Sequence, residues 1–273
     1  MSTLFLQSCH VATAPSSKPN HLHRLPSSLC CTKAQQQQQL QELRVCTNRT
    51  CRRQGSFQTL ETLSGIAPPN VSVKSSGCLG CCGAGPNLVF LPDGLIIRHC
   101  GTASRCSEVM VSLFGGGGGD NNHNSNTSLD ALALRKRADV EFQNKNFAEA
   151  ELLLSQAIDL KPFGGLHVTF KCRSFVRMEL GNYSGALEDA NEALALALGY
   201  SEAYICQGDA FLALNKFDLA EQSYLTSLDI DPSIRNSKSF KITQLVKRLE
   251  NLNTKWMPRI LNSLTKCQCL VNG

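Results

Sequence analysis

Three stretches of this chain can be laid over one another: FAEAELLLSQAIDLKP (Phe147–Pro162), YSGALEDANEALALAL (Tyr183–Leu198) and FDLAEQSYLTSLDIDP (Phe217–Pro232). Their leading aromatic residues stand 36 and 34 positions apart. An alanine follows each at +3 (Ala150, Ala186, Ala220) and a small residue at +10 (Ala157, Ala193, Ser227). A period of this length predicts two-helix units that cannot bury their apolar faces alone and must stack, and about three copies are the minimum for a stable stack. The first and third copies end on Pro162 and Pro232; the second lacks that proline, and its first helix, KCRSFVRMEL, is weaker.

These marks resemble the tetratricopeptide repeat, with three repeats over residues 130–234. Beyond Pro232, SFKITQLVKRLENL places Phe240, Ile242, Leu245, Val246, Leu249 and Leu252 on one helical face. Residues 235–273 therefore read as a capping helix and a basic tail. Some arrays of this family grip the C-terminal carboxylate of chaperones with Lys, Arg and Asn side chains on their concave helices. Carried over by alignment, that pattern meets Arg135, then Asp139 and Cys172 where Asn is required, and Glu202 and Cys206 where Lys and Arg are required. The resemblance thus implies that chaperone tails are not bound. Residues 130–234 carry nine basic and sixteen acidic side chains, which favours a basic protein partner.

Charge is segregated elsewhere too. Residues 1–41 hold Lys18, Arg24 and Lys33 and no acid, in a Ser/Thr/Pro-rich context. That composition predicts a chloroplast transit peptide and a stromal destination. Gly115–Gly119 and the polar run after it predict a flexible linker over 115–129. No apolar run approaches the roughly 18 residues that span a bilayer. No basic stripe interleaved with aromatics points to nucleic acid. With no phosphate loop, dinucleotide fingerprint or nucleophile beside a base, no enzyme activity is expected.

Residues 42–114 alternate element types. Strands are predicted at Leu43–Cys46, Val71–Lys74, Leu88–Leu91 and Leu95–Arg98, and helices at Ser56–Leu63 and Cys106–Phe114. The order β-α-β-β-β-α is that of a small α+β fold of the thioredoxin kind, ahead of the all-α repeats. Two cysteine pairs follow strands: Cys46 and Cys51 in VCTNRTC, and Cys78 and Cys82 in GCLGCCGAGPN. Spacing leaves a metal site open to several readings. A plant-type cluster run would need cysteine where Gln54 stands, while a four-cysteine zinc knuckle would take Cys78 and Cys81 as its second pair.

The cysteines, glycines and PN of this unit resemble the thioredoxin-like [2Fe–2S] ferredoxins. That resemblance implies Cys46, Cys51, Cys78 and Cys82 as ligands of a [2Fe–2S] cluster, with zinc as the alternative and Cys81 outside the ligand set. Arg49, Arg52 and Arg53 would offset its negative charge. The expectation is a plastid iron–sulfur protein, a one-electron carrier or cluster holder docked through its repeats. The alternative is a non-redox assembly scaffold with a zinc-stabilised or degenerate site.

Overall fold

The computed structural model describes residues 41–115 and 121–233. The transit-peptide and capping-helix expectations lie outside these residues. The described residues open with β1 (Gln41–Cys46), α1 (Arg49–Arg53), α2 (Ser56–Ile66) and β2 (Val71–Ser76). β3 (Leu88–Leu91), β4 (Leu95–Ile97) and α3 (Ala103–Phe114) complete a mixed α/β unit. The sheet order is β2-β1-β3-β4. β1 runs parallel to β2, with Gln41 opposite Val71, and antiparallel to β3, with Leu43 opposite Phe90. Alternation in β1 sends Leu43 and Val45 inward, and they pack with Leu63, Ile66, Leu88, Val109 and Met110 into one core. Asn48 and Thr102 cap α1 and α3, each accepting a backbone N–H through its side-chain oxygen.

Six further helices follow: α4 (Asn121–Gln143), α5 (Phe147–Asp159), α6 (Leu166–Glu179), α7 (Tyr183–Leu196), α8 (Ser201–Ala213) and α9 (Phe217–Ile230). They pack in sequence as three antiparallel pairs. Each pair turns on one left-handed residue, Lys145 (φ 64°), Gly181 (φ 77°) or Asn215 (φ 59°), two positions before the repeat aromatic. The recurring alanines Ala150, Ala186 and Ala220 are each fully buried, which lets paired helices approach closely. Gly208 serves the same end, since a Cβ there would lie 2.7 Å from the Tyr224 ring.

The structure departs from the expected linker over 121–129. Residues 116–120 lie outside the described set, but 121–129 form the first turns of α4. Packing overrides their polar composition: Ser125 and Ser128 are buried, and the Ser107 hydroxyl donates to the Ser125 carbonyl at 2.8 Å. Leu132 of α4 enters the core of the sheet unit. Gly165, just before α6, donates its N–H to the Ala67 carbonyl at 3.0 Å. Sheet and repeats therefore share a continuous contact.

Candidate functional site

The first helices of the three pairs, α4, α6 and α8, carry the positions that the chaperone clamp would use. Arg135 is not free to serve a ligand. It is 7% exposed, and its guanidinium donates to the carbonyls of Gly65 at 3.0 Å and Gly165 at 3.3 Å, holding sheet to array. Asp139 and Cys172 instead line a pocket of about 320 Å³ with Ala138, Phe142, Lys171 and Phe175. Burial pushes the Cys206 thiol up to about 12, so it stays protonated and acts as packing.

Sequence comparison at fixed positions missed the cation of this groove, Lys171, one residue before Cys172. Its ammonium donates to Glu202 Oε2 at 3.0 Å, and the Tyr200 hydroxyl donates to the same oxygen at 2.9 Å. Burial works against the Lys171 charge, but Cys172, Tyr200 and Glu202 around it outweigh that and raise its pKa. Burial likewise opposes ionisation of Glu202, yet the charge of Lys171 and the two hydrogen bonds hold it below the usual carboxylate range. The His167 ring meets Tyr200 edge-on, centroids 5.2 Å apart.

A second charge cluster lies between α5, α6 and α7. Arg173 grips Asp189 with two hydrogen bonds of 2.9 and 2.7 Å, and Arg177 reaches Asp189 at 3.0 Å and Glu151 at 2.7 Å. Asp189 is buried to 3% exposure and its charge is met entirely within the fold. Part of the acidity that suggested a basic partner is therefore spent internally.

In the sheet unit, Cys46 ends β1 and Cys51 sits on α1, both buried, while Cys78 and Cys82 are exposed on the loop after β2. The short helix α1, which sequence reasoning did not anticipate, is what turns Cys51 back toward the sheet. The Cys78 and Cys82 sulfurs are 3.7 Å apart, and the Gly80 N–H donates to Cys78 Sγ at 3.4 Å. Asn87, 1% exposed, donates to Cys51 Sγ at 3.9 Å and to the Cys81 carbonyl at 2.7 Å. Gly85 must lack a side chain, because a Cβ would stand 2.6 Å from Cys51 Sγ. Burial opposes ionisation of Cys46, but backbone N–H groups of Asn48 and Leu79 and the Cys51 thiol lower its pKa. Burial raises Cys51, and the neighbouring Cys78 raises Cys82, so the four thiols share one electrostatic environment. They form two pairs, and among the described residues no three such side chains already stand in metal-ligating geometry. Arg52 stacks over Phe57 at 5.0 Å. Cys100 and Cys106 are free, buried thiols raised by burial to about 11 and about 12.

The helical pairs define the class: residues 122–165 and 176–233 match the tetratricopeptide repeat family, and this part of the chain is a tetratricopeptide repeat domain. Its relatives are more particular. The chain is 29% identical over 133 residues to an Hsp70-Hsp90 organising protein of Plasmodium falciparum, covering 45% of this chain and 52% of that one. It is 32% identical over 111 residues to heat shock protein STI1 of Saccharomyces cerevisiae, covering 41% of this chain and 19% of that one. A rat serine/threonine-protein phosphatase 5 is 30% identical over 105 residues, covering 38% of this chain and 21% of the phosphatase. The chain thus spans about half the length, or less, of the curated relatives it matches. Among solved structures, the first TPR of Spaghetti (RPAP3) bound to HSP90 peptide SRMEEVD is similar at 24% identity and TM-score 0.42, covering 45% of this chain and 94% of that one.

Several expectations are corrected by these findings. The repeats match those of chaperone-organising proteins, which overturns the reading of the chain as an iron–sulfur electron carrier or cluster holder, and with it the ferredoxin description. The expectations that chaperone tails are excluded and that the partner is basic fall as well. The sequence relatives of these repeats are an Hsp70-Hsp90 organising protein and heat shock protein STI1, against which neither expectation stands. Matching at fixed positions also left out Lys171, a cation on the groove wall beside Cys172. No helix among the described residues is long and apolar enough to cross a membrane.

Proposed function

We propose that this chain is a non-catalytic docking scaffold that receives the acidic C-terminal peptide of a chaperone in the groove formed by α4, α6 and α8. The observation that carries this reading is the kinship of its repeats to the organising proteins, joined to a lysine on the groove wall beside an apolar pocket. Lys171 supplies the charge for a peptide carboxylate, and Phe142 and Phe175 supply apolar surface for a neighbouring side chain. The sheet unit, held to the array through Arg135, is the part such docking would deliver to the chaperone's client. The plastid stroma is the compartment in which we place this role. The test is titration of fluorescently labelled SRMEEVD into the whole chain. Saturable binding in the micromolar range, lost on Lys171→Met, is the expected outcome; no saturation with the intact chain would overturn the reading.

The sheet unit carries a separate proposal. It is a thioredoxin-like module whose Cys46, Cys51, Cys78 and Cys82 hold a structural thiophilic metal centre, zinc or [2Fe–2S], with no electron-carrying or cluster-delivering role. Four soft donors at one end of the sheet, a lowered Cys46 thiol and a glycine at 85 that clears Cys51 Sγ fit such a group. Bound there, it would cross-link the loop after β2 to β1 and α1 and so stabilise the unit. Iron, sulfide and zinc analysis of protein purified without oxygen, beside Cys51→Ser, decides the matter. Metal-free protein whose melting is indifferent to added zinc would count against it.

A further inference from the structure

We propose that Lys171 and Tyr200 form a carboxylate seat, and that Glu202 occupies it as the chain's own stand-in for the terminal carboxylate of a ligand. The inference rests on the docking role above and adds what gates that groove. One oxygen, Glu202 Oε2, accepts both the Lys171 ammonium at 3.0 Å and the Tyr200 hydroxyl at 2.9 Å. The donors belong to the wall and the acceptor does not: the Lys171 side chain is 24% exposed, that of Glu202 58%. Asp189 shows what a structural acid looks like in this same array, at 3% exposure with two arginines on both its oxygens.

The donors are also held in place. Tyr200 precedes α8, its ring fixed edge-on by His167. Burial pushes its phenol above the ordinary range, so it keeps the proton it donates. Lys171 is shared between the seat and the pocket lined by Phe142 and Phe175. A peptide with a free terminal carboxylate and an apolar residue just before its end, as the valine of SRMEEVD is, would fill both at once. A half-exposed ion pair is weak and readily exchanged, so Glu202 shields Lys171 from weak anions and gives way to a ligand that also fills the pocket. Glu202 then sets a threshold for binding.

The test compares the whole chain with Glu202→Gln, Lys171→Met and Tyr200→Phe, each checked for an unchanged circular dichroism spectrum. The probe is SRMEEVD, as free acid and as C-terminal amide. Removing the stand-in should tighten the free acid roughly five- to tenfold and leave the amide nearly unchanged. Tyr200→Phe should weaken the free acid about threefold, and Lys171→Met should abolish it. Equal affinity of Glu202→Gln and the intact chain for the free acid would overturn the stand-in while leaving the docking role intact. Weaker binding by Glu202→Gln would overturn it too, making Glu202 a direct peptide contact. Binding by neither form would sink the docking role and the seat together.

Discussion

The sheet unit and the repeat array hold themselves together by opposite means. Six of the most buried side chains in the sheet unit are large: Leu43, Val45, Leu63, Ile66, Leu88 and Met110, none above 1% exposure. In the array the fully buried positions are mostly alanine, such as Ala150, Ala157, Ala186, Ala190, Ala193 and Ala220. The first buries apolar volume; the second brings backbones together and adds a charge network of Arg173, Arg177, Asp189 and Glu151. The contrast teaches where each region is vulnerable. The sheet unit should suffer from lost volume, the array from lost charge or added volume.

The sharpest way to break that comparison is Asp189→Ala. Removing a buried carboxylate leaves two guanidinium groups, 15% and 19% exposed, facing each other without their partner. Breaking a buried pair from one side costs about 3–5 kcal/mol. Urea unfolding should show a loss near the upper end for the array. A loss below about 1 kcal/mol would mean the network is incidental and that the alanine contacts suffice.

Next comes a reciprocal pair. Leu88→Ala in β3 leaves a cavity in a core with 0% exposure there and should cost about 3 kcal/mol. Ala190→Leu in α7 forces volume into a contact with no room and should cost about 2 kcal/mol. If calorimetry finds the alanine position tolerant and the leucine position cheap, the two regions do not differ as argued.

Which parts were legible in the sequence follows from the same contrast. The repeats were legible because a 34- to 36-residue period is written in the small residues themselves, and β3 because its short apolar run ends in the turn residues Pro92, Asp93 and Gly94. The first turns of α4 were not. NNHNSNTS reads as coil, and only the buried contacts of Ser125 and Ser128 make it helical. Helix α1 was hidden because its five residues were read as ligand spacing around Cys51. The groove was missed for a different reason. Matching Cys172 against asparagine said nothing of Lys171 beside it, and no periodicity marks Tyr200 or its bond to Glu202. Arg135 matched the clamp by type but is engaged by Gly65 and Gly165, a use that becomes visible only when sheet and array meet.

A comparable effect, confined to acid pH, links the groove to pH. His167 Nδ1 is buried without a partner, and burial, aided by the charges of Arg135 and Lys171, lowers its pKa to about 4 from 6.5. Between those values the unfolded chain binds a proton that the folded chain refuses, so stability falls as pH drops through this window and is complete above about 6.5. The loss should approach roughly 2–3 kcal/mol at pH 4, allowing for partial exposure. His167→Gln should flatten this part of the pH profile in thermal melts; an unchanged profile would assign the acid response to other groups.

The smallest effect sharpens the comparison within the array alone. Its three intrarepeat turns need one left-handed residue each, filled by Lys145, Gly181 and Asn215 at φ 64°, 77° and 59°. Glycine accepts that backbone freely and asparagine tolerates it, whereas lysine carries a Cβ too close to the following carbonyl. Lys145 is exposed, so no packing compensates. Lys145→Gly should therefore stabilise the first repeat by about 0.5–1 kcal/mol, and Gly181→Lys should destabilise the second by about 1 kcal/mol. Opposite signs of similar size, read from paired denaturation curves, would establish that the turns are equivalent across repeats; equal signs would refute it.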